Sequence, residues 1–179
     1  MKKLLFILLI LLMCTYIFAI EEKIITLEAN DEWSVFERQL FVDILINDDS
    51  YLILRFNDQK EHDPWYAIDP FLVRFENDRI VEFRKVLDKF VEWDNVAIQN
   101  NVYDLEKDIN YRIGAYNFSY VRKSNKSKLF MRINYMNYTE SYSFDSYYVK
   151  RLKDAISEES LKKFEDKIQF RKKQAELFN

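Results

Sequence analysis

A single histidine sits among acids. His62 lies in Asp58-Gln59-Lys60-Glu61-His62-Asp63-Pro64, with Asp69 shortly after. An imidazole beside carboxylates titrates near neutrality and can serve as a general base or a metal ligand. His62, Asp58, Glu61 and Asp63 are therefore the candidate metal set. The set is thin. Zinc sites use three or four nitrogen, sulfur or oxygen ligands at recognisable spacing, and this histidine has no cysteine near it. The oxygens of Asn57, Asp58, Glu61 and Asp63 do not fall at the spacing of an EF-hand calcium loop. A solvated acidic loop accounts for the same residues, so no metal or other cofactor is expected.

Nucleophilic chemistry finds less. Gly114 is the only glycine, so there is no Gly-x-Ser-x-Gly elbow. The same scarcity excludes glycine-rich phosphate loops and dinucleotide fingerprints, which need close backbone approach. No catalytic residue is assigned. Acids are plentiful, so a hydrolase acting through paired carboxylates, metal-assisted, is the alternative to a binding protein. Nothing in the spacing singles out a pair.

The second half is crowded with Tyr111, Tyr116, Tyr120, Tyr135, Tyr138, Tyr142, Tyr147 and Tyr148, interleaved with Arg112, Arg122 and Arg132. Tyrosine and arginine are common anchors of sugar- and peptide-binding surfaces. Tyr116, Tyr120 and Arg132 are the candidate ligand-binding residues. The competing explanation is a half-buried sheet with tyrosine hydroxyls at its rim. Asn117, Asn125 and Asn137 each open a glycosylation sequon, which an asparagine-rich chain produces by chance.

The elements that position these residues begin with an address. Lys2-Lys3 precede the apolar run Leu4 to Met13, the charged and apolar regions of a secretory signal. Cleavage after Ala19 is the first expectation, with residues 1–19 as signal peptide. A second is lipidation of Cys14, the only cysteine, in the loose lipobox Leu11-Leu12-Met13-Cys14. A third is an uncleaved anchor, since Leu4 to Ile20 reaches the lower end of the roughly 17–25 residues that span a bilayer. The abundant Lys, Ile, Asn, Tyr and Phe resemble the product of an AT-rich bacterial genome. The chain is thus expected to be secreted to the periplasm or cell envelope.

Residues 20–179 suffice for one domain with a real core, held without disulfides once Cys14 is removed. With one glycine and two prolines, tight turns must rely on Asn, Asp and Ser. Charge is divided: residues 20–106 carry 9 Lys+Arg against 21 Asp+Glu, and residues 107–179 carry 16 against 9. The two halves are expected to attract each other within one unit, rather than to present two faces to different partners or to associate head to tail.

Periodicity predicts strands at Lys23–Leu27, Val35–Ile46, Tyr51–Asn57 and Trp65–Val73. Val35–Ile46 also fits a helix stripe, and its β-branched content decides for strand. Asn77 is the expected cap of a helix whose apolar face is Ile80, Phe83, Leu87, Phe90 and Val91. Residues 98–108 are expected as a connector, followed by strands at 110–121, 128–137 and 138–144, the first two joined by a basic turn at 122–127. Helices are expected at 147–156 and, as an amphipathic C-terminal helix, at 158–178. Its lysines and arginines offer a surface to anionic lipid or a partner, or form its solvated face.

Two passages match. Leu52-Ile53-Leu54-Arg55-Phe56-Asn57 aligns with Leu129-Phe130-Met131-Arg132-Ile133-Asn134. Phe75, Ile80, Phe83, Val86 and Leu87 align with Phe144, Val149, Leu152, Ala155 and Ile156, and the helix caps Asn77 and Ser146 fall in register. The fold expected is α+β, an antiparallel sheet with helices, built as a tandem duplicated strands-then-helix unit with halves at 34–97 and 110–157. That arrangement is similar in outline to the PUR-repeat and Whirly-type nucleic-acid-binding folds. The likeness is topological, and no residue is carried over. The exported address and acidic first half argue against a nucleic-acid partner, which requires a concentrated basic surface. The function expected is that of a non-enzymatic envelope protein binding a protein or peptide. A membrane-anchored lipoprotein with a structural role is a further alternative. Contact with membrane is expected only through the N-terminal segment.

Overall fold

The computed structural model describes residues 20–32, 38–49, 51–58, 71–134 and 139–176. In chain order these form β1 (Glu21–Asp31), β2 (Arg38–Asn47), β3 (Leu52–Asp58), β4 (Phe71–Phe75), α1 (Asn77–Gln99), β5 (Leu105–Ile113), β6 (Tyr116–Lys123), β7 (Lys126–Asn134), β8 (Thr139–Asp145), α2 (Ser146–Ala155) and α3 (Glu158–Glu176). The strands make one antiparallel sheet in the order β4-β3-β2-β1-β8-β7-β6-β5. The α+β expectation holds.

Two four-stranded meanders meet where β1 pairs with β8, over only Asn30↔Ser143 and Asp31↔Tyr142. Continued, that register would set Glu28 opposite Asp145, where β8 gives way to α2. The strands part there, and α2 packs against β1, β7 and β8. β1 also bulges at Ile24, its register stepping from Lys23↔Leu45 to Ile25↔Ile44. The extra residue keeps Glu22 on the same face as Ile25, Leu27 and Ala29, where simple alternation would have turned it away.

Each half covers the other. α1 follows the first meander but packs chiefly on β5 and α2 of the second half, with aromatic contacts to β6. Phe83 lies 5.7 Å from Phe118 and Phe90 lies 5.2 Å from Tyr120, centroid to centroid. α3 follows the second meander and packs on β1 and β2. A meander with one apolar face cannot bury that face alone, so the exchange produces a single continuous core. Phe75, Phe83, Phe118, Tyr120 and Phe144 are among its largest fully buried side chains.

The turns show how a chain with one glycine makes tight hairpins. Gly114 closes β5 to β6 at φ +62°, with Arg79 Nη1 only 3.2 Å from where a Cβ would sit. The β6–β7 turn places Ser124 at φ 48° and Asn125 at φ 66°, the left-handed pair of a two-residue hairpin loop. Asn101 takes φ 51° after α1. There Val102 N–H donates to the Ala97 carbonyl at 2.9 Å and Asn101 N–H to the Ile98 carbonyl at 3.3 Å, a Schellman closure built on asparagine.

Several sequence expectations shift. Residues 105–108 are strand rather than connector, and the strand expected at 110–121 is a hairpin, because Gly114 reverses the chain. The basic turn contracts to Ser124-Asn125, both at positive φ, which asparagine tolerates and serine takes under strain. The cap of α1 is Glu76 and that of α2 is Asp145, each one residue earlier than expected. The Ser146 hydroxyl, released from capping, bonds to Asp94 instead. α1 runs to Gln99, into the expected connector, because the stripe continues to buried Ala97. Residues 65–70 of the fourth expected strand lie outside the described residues.

Two outcomes test this packing. Phe83→Ala should cost about 3–5 kcal/mol in urea unfolding, while Glu82→Ala on the outer side should cost under about 0.5 kcal/mol. Ser124→Gly should stabilise by about 0.5–1 kcal/mol, the relief of left-handed strain exceeding the gain in unfolded-chain entropy.

Candidate functional site

The chemistry-bearing residues gather in two places on opposite faces of the second meander. The first is buried. Asp94 continues the α1 stripe Ile80, Phe83, Leu87, Phe90 and is 1% exposed. Its Oδ2 accepts from Ser146 Oγ at 2.6 Å and Lys150 Nζ at 3.0 Å, both on α2. Its Oδ1 faces Arg122 Nη1 at 3.5 Å. Arg122 is itself buried and donates to Ser127 Oγ at 2.8 Å and to the Val102 carbonyl at 2.6 Å. The Tyr120 hydroxyl shares a hydrogen bond with Ser127 Oγ at 3.1 Å. Burial by itself would raise the Asp94 carboxyl. The hydrogen bonds from Ser146, Ser127 and Lys150 outweigh it and hold the group below the usual carboxylate value. A carboxylate held low by donors on Oδ2, with Oδ1 facing Arg122 without a hydrogen bond, is suited to joining helices rather than to moving protons.

The second place is open. A cleft of about 720 Å³ lies on the outer face of β5–β8, lined in part by Asp108, Asn117, Ser119, Arg132, Asn134 and Thr139. Ser119 Oγ donates to Asp108 Oδ1 at 2.8 Å and accepts from Arg132 Nη1 at 3.1 Å. Arg132 Nη2 reaches Glu106 Oε1 at 3.4 Å. The β5–β6 ladder slips between Ile109 and Ile113, which sets Asn110 and Tyr111 out of regular pairing beside the cleft. Ser119 is not an activated nucleophile. Its hydroxyl donates a hydrogen bond to the weakly basic Asp108 carboxylate with no imidazole between, and the Arg132 guanidinium occupies a lone pair of its oxygen.

The structure separates the residues the sequence grouped. Tyr116 pairs with Ile133 and Tyr120 with Leu129, on the helix-covered face. Arg132 pairs with Asn117, on the opposite face, because neighbouring residues of a strand alternate sides. Tyr120 is wholly buried and Tyr116 packs against the core, its ring 5.6 Å from that of Phe75. The tyrosine–arginine trio is therefore not one surface. Arg132 instead joins Ser119, Asp108 and Glu106. Cys14, Glu61, His62 and Asp63 lie outside the described residues, as do Tyr135 and Tyr138, and only the backbone of Asp58 is described, at the end of β3. Among the described residues no group of three or more His, Cys, Asp or Glu is placed to hold a metal.

The Asp94 network carried a signal that went unused: an acid on an apolar helix stripe, and Arg122 at the inward parity of Phe118 and Tyr120. The cleft carried none, since it depends on a slipped ladder.

No protein-family model matches the chain. No similar sequence is found among curated proteins. Among solved structures the chain is similar to an SsgA-like sporulation-specific cell division protein from Thermobifida fusca, with a TM-score of 0.46, 8% identity, and coverage of 88% of this chain and 96% of that one. It is also similar to SsgB, whose mutations correlate to longitudinal cell division during sporulation of Streptomyces coelicolor, with a TM-score of 0.43, 8% identity, and coverage of 81% and 95%. The likeness is one of chain outline, and no residue role follows from it.

A carboxyl held low in the fold stabilises above its unfolded value, near about 3.9, and loses that contribution as pH falls through its lower folded value. Asp43 titrates in the same window, burial raising it but Lys23 and Thr26 outweighing burial. Comparison with Ser146→Ala isolates Asp94. That variant should lose about 1.5–3 kcal/mol near neutral pH, and its acid unfolding should begin at higher pH than that of the parent. Circular dichroism across an acid titration checks both.

Proposed function

We propose that this is an exported, non-enzymatic protein of the bacterial cell envelope that binds a protein or peptide partner along β5. The observation that supports it is the edge itself. Among the described residues nothing pairs with the far side of β5, and its start is flanked by Tyr103 and Leu105, 61% and 38% exposed. An unpaired edge offers alternate backbone N–H and C=O groups to an added strand. Tyr103 and Leu105 supply apolar surface for that strand to cover. Glu106, Lys107 and Asp108 follow in succession, so pairing is filtered by charge rather than open to any chain.

Export follows from the Met1–Ala19 pattern, with residues 20–179 as a single mature domain. Cleavage there leaves Ile20 one residue before β1 and spares Glu22, whose carboxylate is held by Lys167 at 2.7 Å and by Arg171. Lipidation at Cys14 or retention of the segment as an anchor are the other fates of this end. The two meanders read as a tandem duplication. Leu52 pairs with Phe75 and Leu129 with Phe144, so the matched positions of the sequence alignment hold matched places in the sheet. α3 reads as an amphipathic helix docked by Leu161 and Ile168, with Lys162, Lys163 and Lys173 outward.

A photo-crosslinking amino acid at position 105 of the full chain, expressed in its host, tests this. The expected result is a discrete adduct with an envelope protein, absent from position 124 and lost with Tyr103→Asp, on chain beginning at Ile20. Full-length chain in the cytosol, or equal adducts at 105 and 124, would overturn it.

A further inference from the structure

The cleft on the outer face of the second meander shares β5 with the docking edge but presents side chains rather than the unpaired backbone, and has its own chemistry. Its floor is Ile109 and Phe118, but these are 3% and 2% exposed and give a ligand no apolar surface. An apolar peptide side chain or a lipid tail would therefore gain nothing from these two side chains. What the walls present is hydrogen bonding. The Asn117 amide carries donors and an acceptor; Thr139 Oγ1 donates to Asn134 Oδ1 at 3.0 Å, which leaves the Asn134 amide N–H groups as donors and the Thr139 oxygen as an acceptor.

Charge narrows the ligand further. Arg132 is the cation at the centre, and it is already shared between Ser119 and Glu106, with Asp108 beyond Ser119. One guanidinium between two carboxylates leaves an excess of one negative charge. A phosphate, sulfate or carboxylate would meet that excess, and a cation would meet Arg132 directly. The ligand that suits the walls is neutral and bears groups that donate and accept at once. Hydroxyls on a ring satisfy both conditions. The volume falls inside the roughly 300–1,000 Å³ of small-molecule sites.

We propose that the Asp108–Ser119–Arg132 cleft, walled by Asn117, Asn134 and Thr139, binds a neutral saccharide. Arg132 and Asp108, fixed through Ser119, hold adjacent hydroxyls as acceptor and donor partners, and the asparagine amides bracket the remaining ring positions. The inference goes beyond the strand-docking proposal and does not depend on it.

The test is isothermal titration calorimetry of the purified full chain with chitotriose, cellotriose and maltotriose, with trigalacturonate and inorganic phosphate as anionic comparisons. At least one neutral trisaccharide should bind saturably, with affinity reduced at least tenfold by Arg132→Ala and by Asn117→Ala. Circular dichroism verifies that each variant is folded, and Thr139→Ala replaces either one that is not. Tyr103→Asp should leave sugar binding unchanged while abolishing the crosslink expected from position 105, so the two proposals fail separately. Absence of binding by all three neutral sugars would overturn the inference. So would tighter binding of trigalacturonate or phosphate, or binding that survives the cleft substitutions.

Discussion

The contact on which the rest of this fold depends is the buried meeting of Asp94 and Arg122. A carboxylate and a guanidinium are costly to remove from water, and hydrogen bonds from their neighbours offset that cost; Asp94 Oδ1 has no such bond and faces Arg122 through charge alone. Here the partners come from several directions. Ser146 and Lys150 reach in from α2, Ser127 from β7, and the Val102 carbonyl from the chain that leaves α1. A pair so surrounded fixes the relative placement of α1, α2 and the second meander. Apolar packing alone is less directional: Phe83, Phe90 and Tyr120 would tolerate small slides, and hydrogen bonds at 2.6–3.0 Å to Asp94 Oδ2 tolerate much less.

The same logic extends outward at lower stakes. Acids of the first half meet bases of the second at Glu22–Lys167, Glu32–Lys128, Asp48–Lys172 and Asp88–Lys153. The exposed members of this set are worth little individually. Their common direction explains the division of charge along the sequence, which is used inside the molecule to hold α3 and α2 against the first half. The bulge at Ile24 belongs to this scheme. Without it Glu22 would face away from α3, and Lys167 and Arg171 would have no buried partner on β1.

Much of this was legible from periodicity. The Ile80, Phe83, Leu87, Phe90 stripe places α1, and alternation places β3 and β7. β5 was missed because Glu106-Lys107-Asp108 looks like a solvated connector, although Leu105, Ile109 and Ile113 share one parity. Tyr116, Tyr120 and Arg132 were grouped by residue type, and parity divides them. The tyrosine hydroxyl suggested a surface, but a buried serine is enough to satisfy it. The cleft was illegible for a different reason: it exists because a ladder slips between Ile109 and Ile113, and register is a property of paired strands.

The most direct measurement is a double-mutant cycle on Asp94→Ala and Arg122→Ala, read by urea unfolding near neutral pH. Each single change should cost about 3–5 kcal/mol, since it strands the other charge in the interior. The double mutant should recover part of that loss, with a coupling energy of about 2 kcal/mol or more. Additivity of the two changes within about 0.5 kcal/mol would contradict the central place given to this pair.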